Sequence, residues 1–292
     1  MRGLGRIRKI IDDVRSAALK FVGAALLAFC LGAAPGRAEQ LPLWEAGAGV
    51  TVLHLSHYRG SNQYQTWVLP IPYLIYRGDF LDADERRMRG LFFRTDRSEL
   101  DVSVFAAPPV RNNDARRGMP DLDATFEIGP TLNVFLLRSD DRKKSLELRF
   151  PARAVVAVSS SHIHQVGWIF QPNLNLDLYD AFGFRGWTLG LLAGPVYADR
   201  GYNRYFYEVD PAFATPERPA FSAGGGFGGM QAIAAVGMRS GRLWIGGFAK
   251  WDSVHGAAFE DSPLVKSTHN FSSGIAAAWV FGESSTKVEA FH

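Results

Sequence analysis

Cysteine is nearly absent from this chain: one residue, Cys30, in 292. Everything after it is therefore without thiol chemistry, disulfides or a cysteine metal site. Also missing after residue 38 is any apolar run near the roughly 20 residues that a membrane-spanning helix requires. No segment there keeps a long 3.6-residue apolar period, so little helix is expected. No proline-rich, serine-rich or single-sign charge block divides the body of the chain, which points to one domain.

What is present begins with a leader. Arg2, Arg6, Arg8, Lys9, Arg15 and Lys20 precede the apolar stretch Phe21 to Ala34, and Gly36-Arg37-Ala38 puts small residues at −3 and −1 of a cleavage site. The expectation is a cleaved signal peptide over 1–38, a barrel over 39–281 and a C-terminal tail over 282–292. An uncleaved anchor is the alternative, but the apolar stretch is short for one. Cys30 as a lipoprotein acylation site is disfavoured by Phe29 before it. The leader carries seven Lys and Arg against Asp12 and Asp13, a net of +5. Setting it aside turns the whole-chain +3 into −2, so the basic balance is no argument for nucleic acid.

The body alternates. Trp168, Phe170, Pro172, Leu174, Leu176 and Leu178 share one face of an extended strand; Gly167, Gln171, Asn173, Asn175 and Asp177 share the other, with Ile169 the exception. The same pattern marks 100–104, 126–136 and 146–150. Further strands are read at Glu45–Ser56, Gln65–Arg77, Arg89–Thr95, Trp187–Ala198, Phe221–Met238, Leu243–Ser253 and Ser272–Phe281, with Tyr202–Val209 as an additional candidate. A soluble lipocalin-like barrel or sandwich alternates too, with the apolar face inward. Strand length, aromatics near strand ends (Trp67, Tyr76, Trp168, Trp187, Trp244) and Asn, Asp, Glu and Arg on the polar faces favour the inverted, lipid-facing version. The expected fold is all-β: a transmembrane antiparallel β-barrel of 10–12 strands in the outer membrane. Ala276, Trp279 and Phe281 are similar to the terminal assembly signal of such barrels, although Gly282 to His292 continue past it.

Several motifs suggest chemistry. Gly224-Gly225-Gly226-Phe227-Gly228-Gly229 satisfies G-x-G-x-x-G, but no helical pattern follows, so a close backbone approach is the better reading. His162 and His164 form an H-x-H pair with no third ligand nearby. His54, His57 and several serines could meet at a rim as a hydrolase site, yet no pattern selects a set. Asn270-Phe271-Ser272 is read as a chance sequon. No catalytic, cofactor-binding or metal-binding residue is assigned, and no cofactor is expected.

LPIPYLIYRGD at 69–79, RGLF at 89–92, ARRGMPDL at 115–122, EIGP at 127–130, YFY at 205–207 and DSPLV at 261–265 run in order along the chain. On these stretches it resembles the MipA/OmpV family of Gram-negative outer-membrane proteins. The resemblance implies a barrel in contact with outer-membrane lipid and no catalytic residues. For the namesake it implies a scaffold joining a periplasmic murein hydrolase to a murein synthase. A narrow diffusion channel or surface adhesin is the alternative, and a lipid hydrolase at the rim a third.

The stretch Ala107 to Asp123 is long and proline-bounded. Counting strands at 45, 65, 89 and 99 puts it on the periplasmic side, where turns are normally short. Arg111, Arg116, Arg117, Asp121 and Asp123 are therefore the candidate docking residues for a murein enzyme; a plug packed into the barrel, or a miscounted strand, is the competing explanation.

Overall fold

A computed structural model describes residues 40–289, apart from 78–80, 84–87, 91–92, 96 and 160–161. The expected leader, Cys30 within it, and Phe291 lie outside the described residues. The described chain is an antiparallel transmembrane β-barrel. Its long strands are β2 (Trp44–Ser56), β3 (Tyr64–Arg77), β7 (Ser98–Ala107), β8 (Ala124–Arg138), β9 (Lys144–Val158), β12 (Trp187–Ala198), β13 (Gly226–Ser240), β14 (Leu243–Ser253) and β15 (His269–Glu283). A tenth is made of β10 (Ile163–Phe170) and β11 (Asn173–Tyr179), which both pair with β9 and β12. Pro172 has no N–H to give the ladder, so the strand breaks at Gln171-Pro172. Short pieces β4 (Leu81–Ala83), β5 (Met88–Gly90) and β6 (Phe93–Arg94) complete the path from β3 to β7.

The ladder runs from neighbour to neighbour, and β15 pairs with β2 to bring the last long strand against the first. In hydrocarbon no water satisfies an open edge, so a strand-built span must close on itself. The side chains sort by parity. Ile275, Val68 and Phe281 are each about two-thirds exposed and point outward to lipid. Glu99, Asp101, Glu127, Asn133 and Glu147 are buried on the opposite, inner face. Trp168, Phe170, Tyr197 and Phe271 stand outward near one end of the strands, and Trp44, Tyr76, Trp187, Trp279 and Phe281 near the other, as two interfacial girdles.

Below the strands, β1 (Gln40–Pro42) pairs with β16 (Lys287–Glu289), so the first and last described residues form a ribbon at one end of the barrel. The turns at this end, 139–143, 180–186 and 241–242, are short. The other end carries the longest connections, 108–123, 199–225 and 254–268, beside the short 57–63 and 159–162. Barrels of this kind keep short turns in the periplasm and long loops outside the cell.

Two expectations are corrected here. The piece Leu81–Ala83 is an extra strand between those counted at 65 and 89, so the 108–123 segment exits at the long-loop end. It was missed because only three residues pair and charged residues flank them. The Tyr202–Val209 strand candidate is instead helix α1 (Arg200–Tyr207). The Asp199 carboxylate caps it by accepting from the Tyr202 N–H at 2.8 Å, which satisfies one of the first-turn donors.

The placement is checked by labelling in a Cys30→Ser background, where an introduced cysteine is unique. A polymer-bound maleimide too large for porins labels Arg117→Cys on intact cells, and labels Asp140→Cys only after the outer membrane is opened. The reverse pattern would invert the barrel.

Candidate functional site

Four connections from separate points on the rim meet over the mouth at the long-loop end. Tyr58 comes from the β2–β3 loop, Val110 and Leu122 from the β7–β8 loop, Tyr207 and Ala223 from the β12–β13 connection, and Val254, Ala257 and Phe259 from the β14–β15 loop. Together they form one buried apolar cluster. Tyr207 and Phe259 stack face to face at 3.6 Å, and Tyr58 meets Tyr207 edge-on. Each phenol that is buried here must find a partner: Tyr207 donates to the Arg59 carbonyl and Tyr58 to the Leu264 carbonyl, both at 2.9 Å. Burial pushes Tyr58 up to about 12 and Tyr207 well above the usual phenol value. Both are neutral donors at physiological pH. The helix α1 lies beneath, with Tyr202 packed on Val155, Val166, Ile169 and Val196. The cluster is an aromatic cap across the mouth.

The candidate docking residues are part of this cap. Arg116 is buried, and its guanidinium donates to the Phe206 carbonyl at 3.0 Å and the Pro120 carbonyl at 3.2 Å. Burial lowers its pKa. Arg111 pairs with Asp123 at 3.3 Å and Asp121 at 3.5 Å, and Arg117 with Asp114 at 2.6 Å. The Asp123 N–H donates to the Tyr205 hydroxyl at 2.8 Å. These five residues lie on one loop, and their contacts tie that loop to the cap. Residues that sequence reasoning did not single out hold the same assembly: the Asn270 side chain accepts from the Gly60 N–H and donates to the Ser61 carbonyl. The sequon asparagine is a buried clamp, and no local pattern announces that role.

The other motifs separate. Helix α1 precedes the glycine run, so no strand–glycine–helix unit exists. A Cβ on Gly225 would fall 2.8 Å from the Arg200 nitrogen, which makes the run a place of close approach. His164 packs on Tyr205, His162 sits in the 159–162 turn, and no group of three metal-ligating residues forms among the described residues. Asn113 stands between His57 and Ser61, donating to both at 2.9 and 3.3 Å, and Ser61 is buried. This histidine and serine have an amide between them instead of sharing a proton.

Under the cap lies the lumen. Arg59 reaches down to Asp252 at 3.0 Å, and Lys250 joins the same carboxylate at 3.1 Å. Arg153 pairs with Glu127 at 2.9 Å and also meets Gln171. At the ribbon end Glu45 holds Arg77 and Arg239, each at 2.8 Å. A cavity of about 320 Å³ lies within the barrel, between β9 and β11 on one side and β12 to β15 on the other.

His57 gives the cap a pH dependence. Burial lowers its pKa below 6.5, and its Nδ1 accepts from Asn113. The folded state therefore binds fewer protons than the unfolded one around that pH. Stability is complete above 6.5 and falls as pH drops through it. Protection factors at the Ser61 and Val110 amides, corrected for the intrinsic pH dependence of exchange, should fall below pH 6.5, and His57→Gln should flatten that response. Phe259→Ala removes the stack on Tyr207, at a local cost of about 3–5 kcal/mol. Exchange should rise at the Val110 and Val209 amides and stay unchanged in the β13–β14 ladder.

A search of curated proteins finds no match. Among solved structures, an outer membrane channel from Pseudomonas putida F1 aligns over 86% of this chain and 100% of its own, at 11% identity and a TM-score of 0.36. A FadL homologue from Pseudomonas aeruginosa aligns over 74% and 61%, at 11% identity and a TM-score of 0.29. The outer membrane protease OmpT from Escherichia coli aligns over 86% and 100%, at 7% identity and a TM-score of 0.28. The family model of the MltA-interacting protein MipA matches residues 46–281, nearly all of the barrel, and the chain belongs to that family.

Proposed function

We propose that this outer-membrane barrel is an anchor and scaffold, without catalysis of its own, for periplasmic murein-remodelling proteins: a murein hydrolase and a murein synthase. The observation that carries this reading is the aromatic cap. Four connections pack Tyr58, Tyr207, Val254 and Phe259 into one buried apolar cluster at one mouth, which supports a barrel obstructed at that end. A barrel shut in this way serves better as a fixed platform than as an open pore. The family name supplies the class of partner.

The platform is the end turned to the periplasm. The docking surface is accordingly placed on the short turns 139–143, 180–186 and 241–242 and on the β1–β16 ribbon, in place of Arg111, Arg116, Arg117, Asp121 and Asp123 at the far mouth. Phe182 and Phe184 stand exposed on the 180–186 turn. Phe182 holds a positive φ of 58°, an unfavourable conformation for a bulky residue, of the kind that persists at sites of contact. Residues 1–38 are proposed to be removed on export, which frees the chain just before β1.

Photo-crosslinking in cells tests this. A reactive residue at Asp140 or Ser285 should capture a murein hydrolase or synthase, and one at Arg117 should not. Capture from Arg117 alone would defeat the proposal. In planar bilayers the purified protein should give no steady conductance steps.

A further inference from the structure

The β7–β8 connection buries a charge that its own contacts do not neutralise. The Arg116 guanidinium is 8% exposed and donates only to backbone carbonyls, those of Phe206 and Pro120. Its Nε finds no acceptor. The carboxylates of the same loop are engaged by other arginines: Asp114 holds Arg117, and Asp121 and Asp123 hold Arg111. Arg218 lies near enough to repel Arg116, and it too donates only to carbonyls, those of Ala115, Arg117 and Phe213. No carboxylate pairs with either arginine among the described residues. A buried cation without an anion is costly.

Arg116 lines a cavity of about 350 Å³ formed by this loop at the outer mouth. Asn113 lines it too and is 5% exposed. Its Nδ2 is committed to His57 and Ser61, and its Oδ1 has no donor. The two residues belong to one 3₁₀ turn, in which the Arg116 N–H donates to the Asn113 carbonyl at 3.0 Å. Side chains three apart eclipse in such a turn at about 2 Å rise per residue, so these two leave the backbone on one side, about 6 Å apart. One wall of the cavity thus joins a cation lacking an anion to an acceptor lacking a donor. Asp114 and Asp121 add carboxylate oxygens, and Met119 an apolar surface.

We propose that this cavity is a binding site, open to the cell exterior, for an acidic sugar of the uronic acid class. Arg116 takes the carboxylate, and a ring hydroxyl donates to the Asn113 Oδ1. A simple anion satisfies the arginine and leaves the amide unmet; a neutral sugar does the reverse. Further hydroxyls can donate to Asp114 and Asp121, whose charges Arg117 and Arg111 already balance. A pyranose ring separates its acid group from its far hydroxyls by a span comparable to that between the two side chains. The volume sits at the low end for small-molecule sites, which span about 300–1,000 Å³. This inference does not depend on the docking role.

Calorimetry on the refolded full-length barrel tests it with three probes: D-glucuronate, D-glucose and acetate. Glucuronate should bind at least tenfold more tightly than either of the others. Arg116→Gln should lower its affinity to that of glucose. Asn113→Asp, of the same shape, sets a carboxylate beside Arg116 and should weaken glucuronate tenfold or more while leaving glucose within twofold. It serves if Arg116→Gln loosens the loop, as judged by exchange at the Val110 amide. Purified lipopolysaccharide that displaces glucuronate identifies the ligand as a glycan of the barrel's own membrane, and lipopolysaccharide that does not identifies it as one arriving from outside; both support the site. Absence of glucuronate binding, equal binding of glucuronate with glucose or acetate, or full affinity in a variant whose Val110 amide stays protected would overturn the proposal. Loss of murein-enzyme crosslinking with retained glucuronate binding would strike the scaffold reading alone.

Discussion

The structure depends on the pairing of every backbone polar group that enters hydrocarbon. An unpaired N–H or C=O there costs several kcal/mol, at about the scale of transfer to a solvent that cannot hydrogen-bond. Strands meet that demand only by closing on one another, and closure makes an inside and an outside from one alternating chain. The outside is given to Val68, Phe126, Ile275 and Phe281. The inside then receives every second residue, and the charges placed there have to be compensated locally. Arg153 with Glu127, Arg59 with Asp252 and Arg77 with Glu45 do this. Removing one member of such a buried pair leaves a charge without its partner, at a cost of about 3–5 kcal/mol.

Closure also creates a mouth that strands cannot cover. Here the loops cover it, and they do so jointly. Tyr207 donates to the Arg59 carbonyl and accepts through its own carbonyl from Ser262, so the β2–β3, β12–β13 and β14–β15 connections are linked through one residue. Arg116 adds the β7–β8 loop by donating to the Phe206 carbonyl. Contacts shared among four connections couple the loops to one another, so displacing one disturbs the others. The polar Arg59–Asp252–Lys250 layer under the cap meets the lumen, while the aromatic stack stays dry.

The lumen is divided instead of uniformly wet. On β12 to β15 the inner face is mixed: Arg239, Lys250 and Asp252 carry charge towards its ends, and glycine, alanine and aromatic rings lie between them. The charged wall faces this across the barrel.

Much of the barrel was legible in the sequence because its signal is local. Alternation reads each strand from its own residues, so Trp187–Ala198 and Leu243–Ser253 were found with their observed bounds, and the choice between lipid and solvent followed from strand length, aromatics near strand ends and the polar faces. Leu81–Ala83 was not legible, since three residues carry no period, and that one strand moved Arg116 and its neighbours from one side of the membrane to the other. Helix α1 was hidden because its cap, Asp199, looks like any turn residue, and its aromatics read as strand. The cap and the cavity could not be read at all. Tyr58, Tyr207 and Phe259 are far apart in the chain, and so are Asp177 and Trp244; only closure of the sheet brings them face to face. The sequence by itself determined which side of each strand prefers lipid. The tertiary structure alone decided what meets inside, because that depends on strand number and register around the whole ring.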